Sequence, residues 1–199
     1  KASCIDDWGD LYKAIINWEL DLDNISNESI SEVLLMQKKE ANQSFFKYIK
    51  NEYLSWFIES NSNAPVLSNN LFSKKVLPLI TKKPVFFVLI DNFRLDQWIL
   101  IKPLLEQFFV ISEDTTYCSI LPTSTQYARN SIFSGLMPSE IKSRYPNLWV
   151  DDFEVGGKNL HEEELVNKFI NREGKSLKTS FNKILNLDSG KKLVDKIDD

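Results

Sequence analysis

The sequence predicts an α/β layer domain preceded by an α-helical segment, and three observations carry that prediction. Between positions 1 and 60 apolar residues recur at helical spacing. At 85–90 the unbroken run Val85-Phe86-Phe87-Val88-Leu89-Ile90 has the β-prone composition of a strand buried on both faces of a parallel sheet. Beyond it, helical and extended stretches alternate, which is the order that layers helices on a sheet.

The elements follow in order. Ile5, Trp8, Leu11, Tyr12, Ile15 and Ile16 mark a first amphipathic helix, and Phe45, Phe46, Ile49, Tyr53, Trp56 and Phe57 belong to a second. The break at 21–29 holds Asn24, Ser26 and Asn27, and Ser29 with Glu32 forms a capping-box start to the second, longer helix. Charges of alternating sign along both helices read as a solvated face. A polar stretch with Ser62, Asn63, Pro65, Ser68 and Asn69 suits a hinge, and a short helix is expected over 71–77. After the 85–90 strand, Leu95, Trp98 and Ile99 and, past a kink at Pro103, Leu104, Leu105 and Phe108 read as helical. Positions 109–111 and 115–120 read as extended. Past Pro122, hydroxyl residues lead into a helix that ends at Gly135. Gly156-Gly157 precedes a helix over 160–170, and a lysine-rich tail follows. The expected division is a helical linker or dimerisation segment, 1–68, and an α/β part, 69–199.

Composition narrows the function. A chain of 199 residues, 43% hydrophobic, suffices for one generous domain or a small one with an accessory piece, and it is too apolar for wholesale disorder. A net charge of −4 lacks the broad basic field that duplex nucleic acid demands. The longest apolar run falls far short of the roughly 18 residues of a membrane span, and no signal-type segment opens the chain. A soluble cytoplasmic protein without membrane insertion is expected. Cys4 and Cys118 make neither a disulfide framework nor a zinc knuckle and read as buried small hydrophobes. No phosphate-binding P-loop and no dinucleotide glycine fingerprint occurs.

Two places can carry chemistry. Asp91 follows the apolar run, where open α/β sheets place ligands; equally, it can start an Asp91-Asn92 turn by bonding its own backbone. In Leu121-Pro122-Thr123-Ser124-Thr125-Gln126-Tyr127-Ala128-Arg129-Asn130, hydroxyls stand at a helix start, where the dipole and backbone N–H groups favour a phosphate. Arg129 follows Thr125 by one turn, so an arginine fork could reach the same anion; the alternative is an ordinary cap by Thr123 or Ser124 with Arg129 in solvent. The sole histidine, His161, is remote from Thr125 in sequence, so activation of a hydroxyl by a metal is the better reading than a Ser-His-Asp arrangement. His161 and Glu162, Glu163 and Glu164 beside it either supply ligands or form a solvated helix start.

Three blocks, Val85-Phe86-Phe87-Val88-Leu89-Ile90-Asp91-Asn92-Phe93-Arg94-Leu95-Asp96-Gln97-Trp98, then Ser119-Ile120-Leu121-Pro122-Thr123-Ser124-Thr125-Gln126-Tyr127-Ala128-Arg129-Asn130, then Gly156-Gly157-Lys158-Asn159-Leu160-His161-Glu162-Glu163, stand in an order that resembles the PglZ domain of PorX-type response regulators. That domain belongs to the alkaline phosphatase superfamily, and the helical segment before it resembles the linker between receiver and PglZ domains. The resemblance implies an alkaline-phosphatase-like sheet covered by helices on both faces, present here in part. It also implies two zinc ions, with Asp91 as a metal ligand and Thr125 as metal-bound nucleophile, Thr123 being the reserve. Asn130, with Arg129 or Arg94, would contact phosphoryl oxygens, and His161 is an extra candidate.

The same resemblance implies the effector part of a two-component regulator of type IX secretion. Its activity would be a zinc-dependent phosphodiesterase acting on cyclic or short linear oligonucleotides. Implied partners are an upstream receiver domain, a second copy on phosphorylation, the cytoplasmic part of the secretion motor and a sigma factor. The superfamily's remaining zinc ligands have no counterpart before Asp199, so the chain is expected to be a section of a longer protein. The rival reading is a non-catalytic scaffold that keeps the fold and docks the motor or a transcription factor. A metal-free α/β hydrolase using Thr125 ranks last.

Overall fold

The computed structural model describes residues 2–22, 28–58, 61–81 and 83–197. Their contacts gather into two compact units, one of Lys1–Leu67 with Ile80–Cys118 and one of Ser68–Leu79 with Ser119–Asp199.

In the first unit α1 (Ile5–Leu22) and α2 (Glu28–Glu52) form a helical hairpin, and α2 runs on into a 3₁₀ turn, Tyr53–Phe57. The Asp7 carboxylate starts α1 by accepting Ser3 N–H at 2.6 Å, Ser3 Oγ–H at 2.8 Å and Cys4 N–H at 3.2 Å. The Ser3 and Cys4 bonds hold its pKa down at about 2. Trp8 lies 5.3 Å from Phe45 and 5.9 Å from Tyr48, and Tyr48 lies 6.2 Å from the buried Trp56, so the hairpin closes on aromatic rings. Asn24, Ser26 and Asn27 lie outside the described residues, and α2 already includes Ser29, which is therefore inside the helix and not its cap. Helix α4 (Leu95–Leu105) packs beside α1; Gln97 Oε1 accepts Arg94 N–H at 3.0 Å at its start. Pro103 sits within it without ending it, and the helix stops before Phe108.

The expected sheet does not form. Among the described residues no strand is present, and the one extended pairing is a parallel bridge of Leu67 with Cys118, whose N–H donates to Val66 O at 2.8 Å. The 85–90 run joins no ladder, and Phe86 and Val88 stand 74% and 76% exposed. Positions 109–111 join none either. β-branched and aromatic composition favours a pleated surface only where a neighbouring strand is there to pair with it, and among the described residues no strand lies beside this run. The alkaline-phosphatase-like sheet covered on both faces is thereby corrected to a mainly helical architecture. The cysteines are corrected as well: Cys4 is exposed and Cys118 half-buried, its thiol pKa raised by that burial.

The second unit is built on α5 (Thr125–Ser134), which packs between α3 (Ser68–Leu71) and α7 (Glu162–Arg172). Helix α3 continues through a wide turn, Phe72–Val76, and a 3₁₀ turn, Leu77–Leu79. Ala128, Ser131 and Ser134 are buried on α5, small enough to let its neighbours approach. Phe72 meets Phe169 edge-on at 5.3 Å, and Phe133 meets Phe181 at 5.6 Å. Ser68 Oγ accepts Ile120 N–H at 3.2 Å in the interior. Helix α5 ends, as its sequence predicts, at Gly135, whose φ of 65° is left-handed; a Cβ there would lie 2.4 Å from the Phe169 ring. Helix α6 (Pro138–Arg144) follows, started by Glu140 Oε2 on Met137 N–H at 2.8 Å. The stretch expected as a plain tail holds α8 (Leu187–Ile197), with Asn186 Oδ1 accepting Ser189 N–H at 2.9 Å at its start.

Candidate active site

The site is built on the start of α5. Ser124 occupies the cap position, its carbonyl accepting Tyr127 N–H at 3.0 Å and Ala128 N–H at 2.9 Å, while its hydroxyl makes no capping bond. Thr123, Ser124 and Thr125 are all exposed, and Thr125 is the first helical residue. Its hydroxyl thus stands in solvent at the positive end of a helix whose last five residues are buried. A phosphoryl group is the ligand that such a terminus favours.

What fixes α5 is a buried polar assembly one turn further on. Arg129 Nη2 pairs with Glu162 Oε1 at 2.5 Å, and Lys183 Nζ reaches Glu162 Oε2 at 3.0 Å and Asn159 O at 2.8 Å. Glu162 is 1% exposed, a burial that a carboxylate tolerates only with such partners. Asn130, also buried, donates to Lys158 O at 3.0 Å and accepts from Asn159 Nδ2 at 3.2 Å. The neighbouring loop is held from the same helix: Tyr127 Oη donates to Asp152 Oδ2 at 2.5 Å, Gln126 bonds Asp152 Oδ1, and Trp149 stacks on Tyr127 at 6.0 Å. The Asp152 bond raises the Tyr127 pKa, and Lys142, 2.7 Å from Asp151, lowers that carboxylate's.

In the second unit Thr125, Arg129 and Asn130 lie on α5, while His161 directly precedes α7 and lies, through Nδ1, 3.5 Å from Glu164 Oε1. Asp91 and Arg94 belong to the first unit. Asp91 is exposed and opens a turn in which Asn92 has φ 57°. Arg94 forks onto Asp96 through Nε at 3.0 Å and Nη2 at 2.7 Å. Glu162 is the residue that sequence reasoning missed by placing it on a solvated helix start. The signal was there, since Glu162 precedes Leu165, Val166 and Phe169 by three, four and seven residues and so shares their buried face.

Residues 1–57 match the PorX response regulator linker domain, and residues 71–197 match the BREX system PglZ alkaline phosphatase-like domain. The chain belongs to the PglZ alkaline phosphatase-like family. With the linker ahead of it, the PglZ part is the phosphatase-like effector of a PorX-like regulator, and at the coarse level a hydrolase of the phosphatase superfamily. No curated protein matches the sequence. The superfamily generally uses metal ions. Among the described residues no three His, Cys, Asp or Glu side chains gather as a metal site, whereas a metal pair takes about six ligands, so these donors do not by themselves fit such a centre. No helix of the described residues is long and apolar enough to cross a membrane.

Proposed function

We propose that this PglZ chain hydrolyses phosphodiesters through Thr125, as the output of a cytoplasmic two-component regulator of type IX secretion. The observation that carries the reading is the exposed Thr125 hydroxyl at the first position of α5, with the helix body locked into the core behind it. In this reading Thr125 Oγ attacks phosphorus, the P–O bond to the leaving alcohol breaks, and water later cleaves the threonyl ester to restore the hydroxyl. Backbone N–H groups and the dipole of α5 stabilise charge on the phosphoryl oxygens. Arg129 and Asn130 are carried on the same helix, Arg129 paired with Glu162 and the buried Asn130 bonded to Lys158 O and to the Asn159 side chain. Arg94 is committed to Asp96 and is the weakest of the phosphate candidates.

Asp91 is proposed as one carboxylate donor toward the zinc ions that the resemblance implies. Cyclic or short linear oligonucleotides are the proposed substrates. An upstream receiver domain would control pairing of two copies, a role supported by Ile30, Val33 and Met36, exposed on α2. The test is zinc content and hydrolysis of bis-p-nitrophenyl phosphate by the full-length protein and its variants. Thr125→Ala is expected to keep metal without turnover, and Asp91→Ala to lose metal. A metal-free, inert wild type would overturn the proposal.

A second reading, a scaffold that docks the secretion motor or a sigma factor, draws on Phe153 and Val155, both fully exposed in the loop after α6. Unchanged secretion signalling in Thr125→Ala would favour it.

A further inference from the structure

Among the described residues Glu162 is the one buried carboxylate, and it faces two cations, Arg129 Nη2 at 2.5 Å and Lys183 Nζ at 3.0 Å. An apolar residue would continue the face made by Leu165, Val166 and Phe169 at no desolvation cost. A carboxylate there needs a reason beyond packing. Two cations on one carboxylate leave Arg129, Glu162 and Lys183 together with a net positive charge, joined to α5 one turn after Thr125. The Arg129 side chain keeps 17% exposure, so it is not sealed from solvent, and it follows Thr125 by four residues, on one helical face. Lys183 closes the arrangement from the segment after α7, where Phe181 rests on Phe133 and Thr179 bonds Asn167 at 2.9 Å.

Resting on the Thr125 reading, we propose that Glu162 is a positioning residue for phosphoryl transfer: its carboxylate, shared with Lys183, holds the Arg129 guanidinium on the Thr125 face of α5, aimed at the phosphoryl oxygens. An unheld arginine samples many rotamers, and only the held fork presents two N–H groups in the plane that a phosphate accepts.

The experiment is steady-state hydrolysis of bis-p-nitrophenyl phosphate, with inhibition by inorganic phosphate, on the full-length protein carrying Glu162→Gln, Arg129→Met or both. Each single variant is expected to lower kcat/KM and to weaken phosphate inhibition by about tenfold, and the double variant to be no worse than Arg129→Met alone, because Glu162 acts through Arg129. Multiplying effects would show a merely structural Glu162 and overturn the proposal. So would wild-type kinetics, or tighter phosphate inhibition, in Glu162→Gln. Should Glu162→Gln fail to fold, Arg129→Lys keeps the ion pair while losing the planar fork; a tenfold loss in kcat/KM is expected, and wild-type kinetics there would again overturn the proposal. Calorimetric binding of inorganic phosphate to Thr125→Ala, with and without Glu162→Gln, separates the two readings. Turnover surviving in Thr125→Ala sinks the nucleophile, whereas phosphate binding indifferent to Glu162 sinks the positioning role alone.

Discussion

The two units treat polar and apolar groups in opposite ways. In the second, Ser68, Asn130, Ser131, Ser134 and Glu162 are buried among Ile120, Ile132, Leu165, Phe169 and Ile170. In the first, the buried positions among the described residues are Ile16, Leu34, Trp56 and Leu67, while Phe86, Val88, Phe108 and Val110 stand 74%, 76%, 80% and 94% exposed. A buried polar network specifies one geometry, because each member is costly without its partner. Thr125 stands on such a scaffold, whereas Asp91 follows an exposed apolar run. In this chain that over-determined geometry lies in the body of α5, directly behind the exposed Thr125.

The largest contrast expected between the units is in their aromatics. Phe169→Ala, at 2% exposure and edge-on to Phe72, should cost about 3–5 kcal/mol in urea unfolding, and Phe86→Ala about 0.5 kcal/mol or less. Equal costs would erase the distinction. Ion pairs come next. Arg129→Met leaves Glu162, at 1% exposure, with Lys183 as its remaining cation and should cost about 2 kcal/mol, whereas Lys102→Met, whose partner Asp114 keeps 31% exposure, should change stability far less.

Turns sharpen the comparison further. Gly135→Ala forces a Cβ into the Phe169 ring at a φ of 65° and should cost about 1–3 kcal/mol, while Asn92→Gly, at φ 57° and exposed, should stay within about 0.5 kcal/mol of wild type. The smallest effect concerns acid. Asp7 has its pKa lowered from 3.8 to about 2 by Ser3 and Cys4, so its contribution to the α1 start is full above 3.8 and fades as pH falls toward 2. Amide exchange at Ser3 and Cys4 should quicken, relative to the intrinsic rate, across that window and not above it.

Much of the helical content was legible. The spacing of Ile5, Trp8, Ile15 and Ile16 marks α1, and the hydroxyl run with Gly135 brackets α5 from cap to stop. The sheet was misread because composition reports a preference for pleated surface and not the presence of a neighbour to pair with, so 85–90 looked buried although Phe86 and Val88 are not. Helix α8 was hidden by its lysines, which obscure the start that Asn186 and Ser189 provide. In the site, Thr125 and Arg129 could be read as one face, because four residues make one turn. The partner of Arg129 could not, since Glu162 lies 33 residues away in sequence and only the packing of α7 on α5 brings them together.

The central claim is that the Thr125 hydroxyl attacks phosphorus. Acid-quenching the full-length protein during turnover of bis-p-nitrophenyl phosphate, and weighing the peptide that carries Thr125, tests it most directly. The account predicts a phosphoryl adduct on that peptide, absent in Thr125→Ala, whose kcat falls about a thousandfold. Turnover without any adduct, together with a Thr125→Ala variant that keeps the wild-type rate, would contradict it.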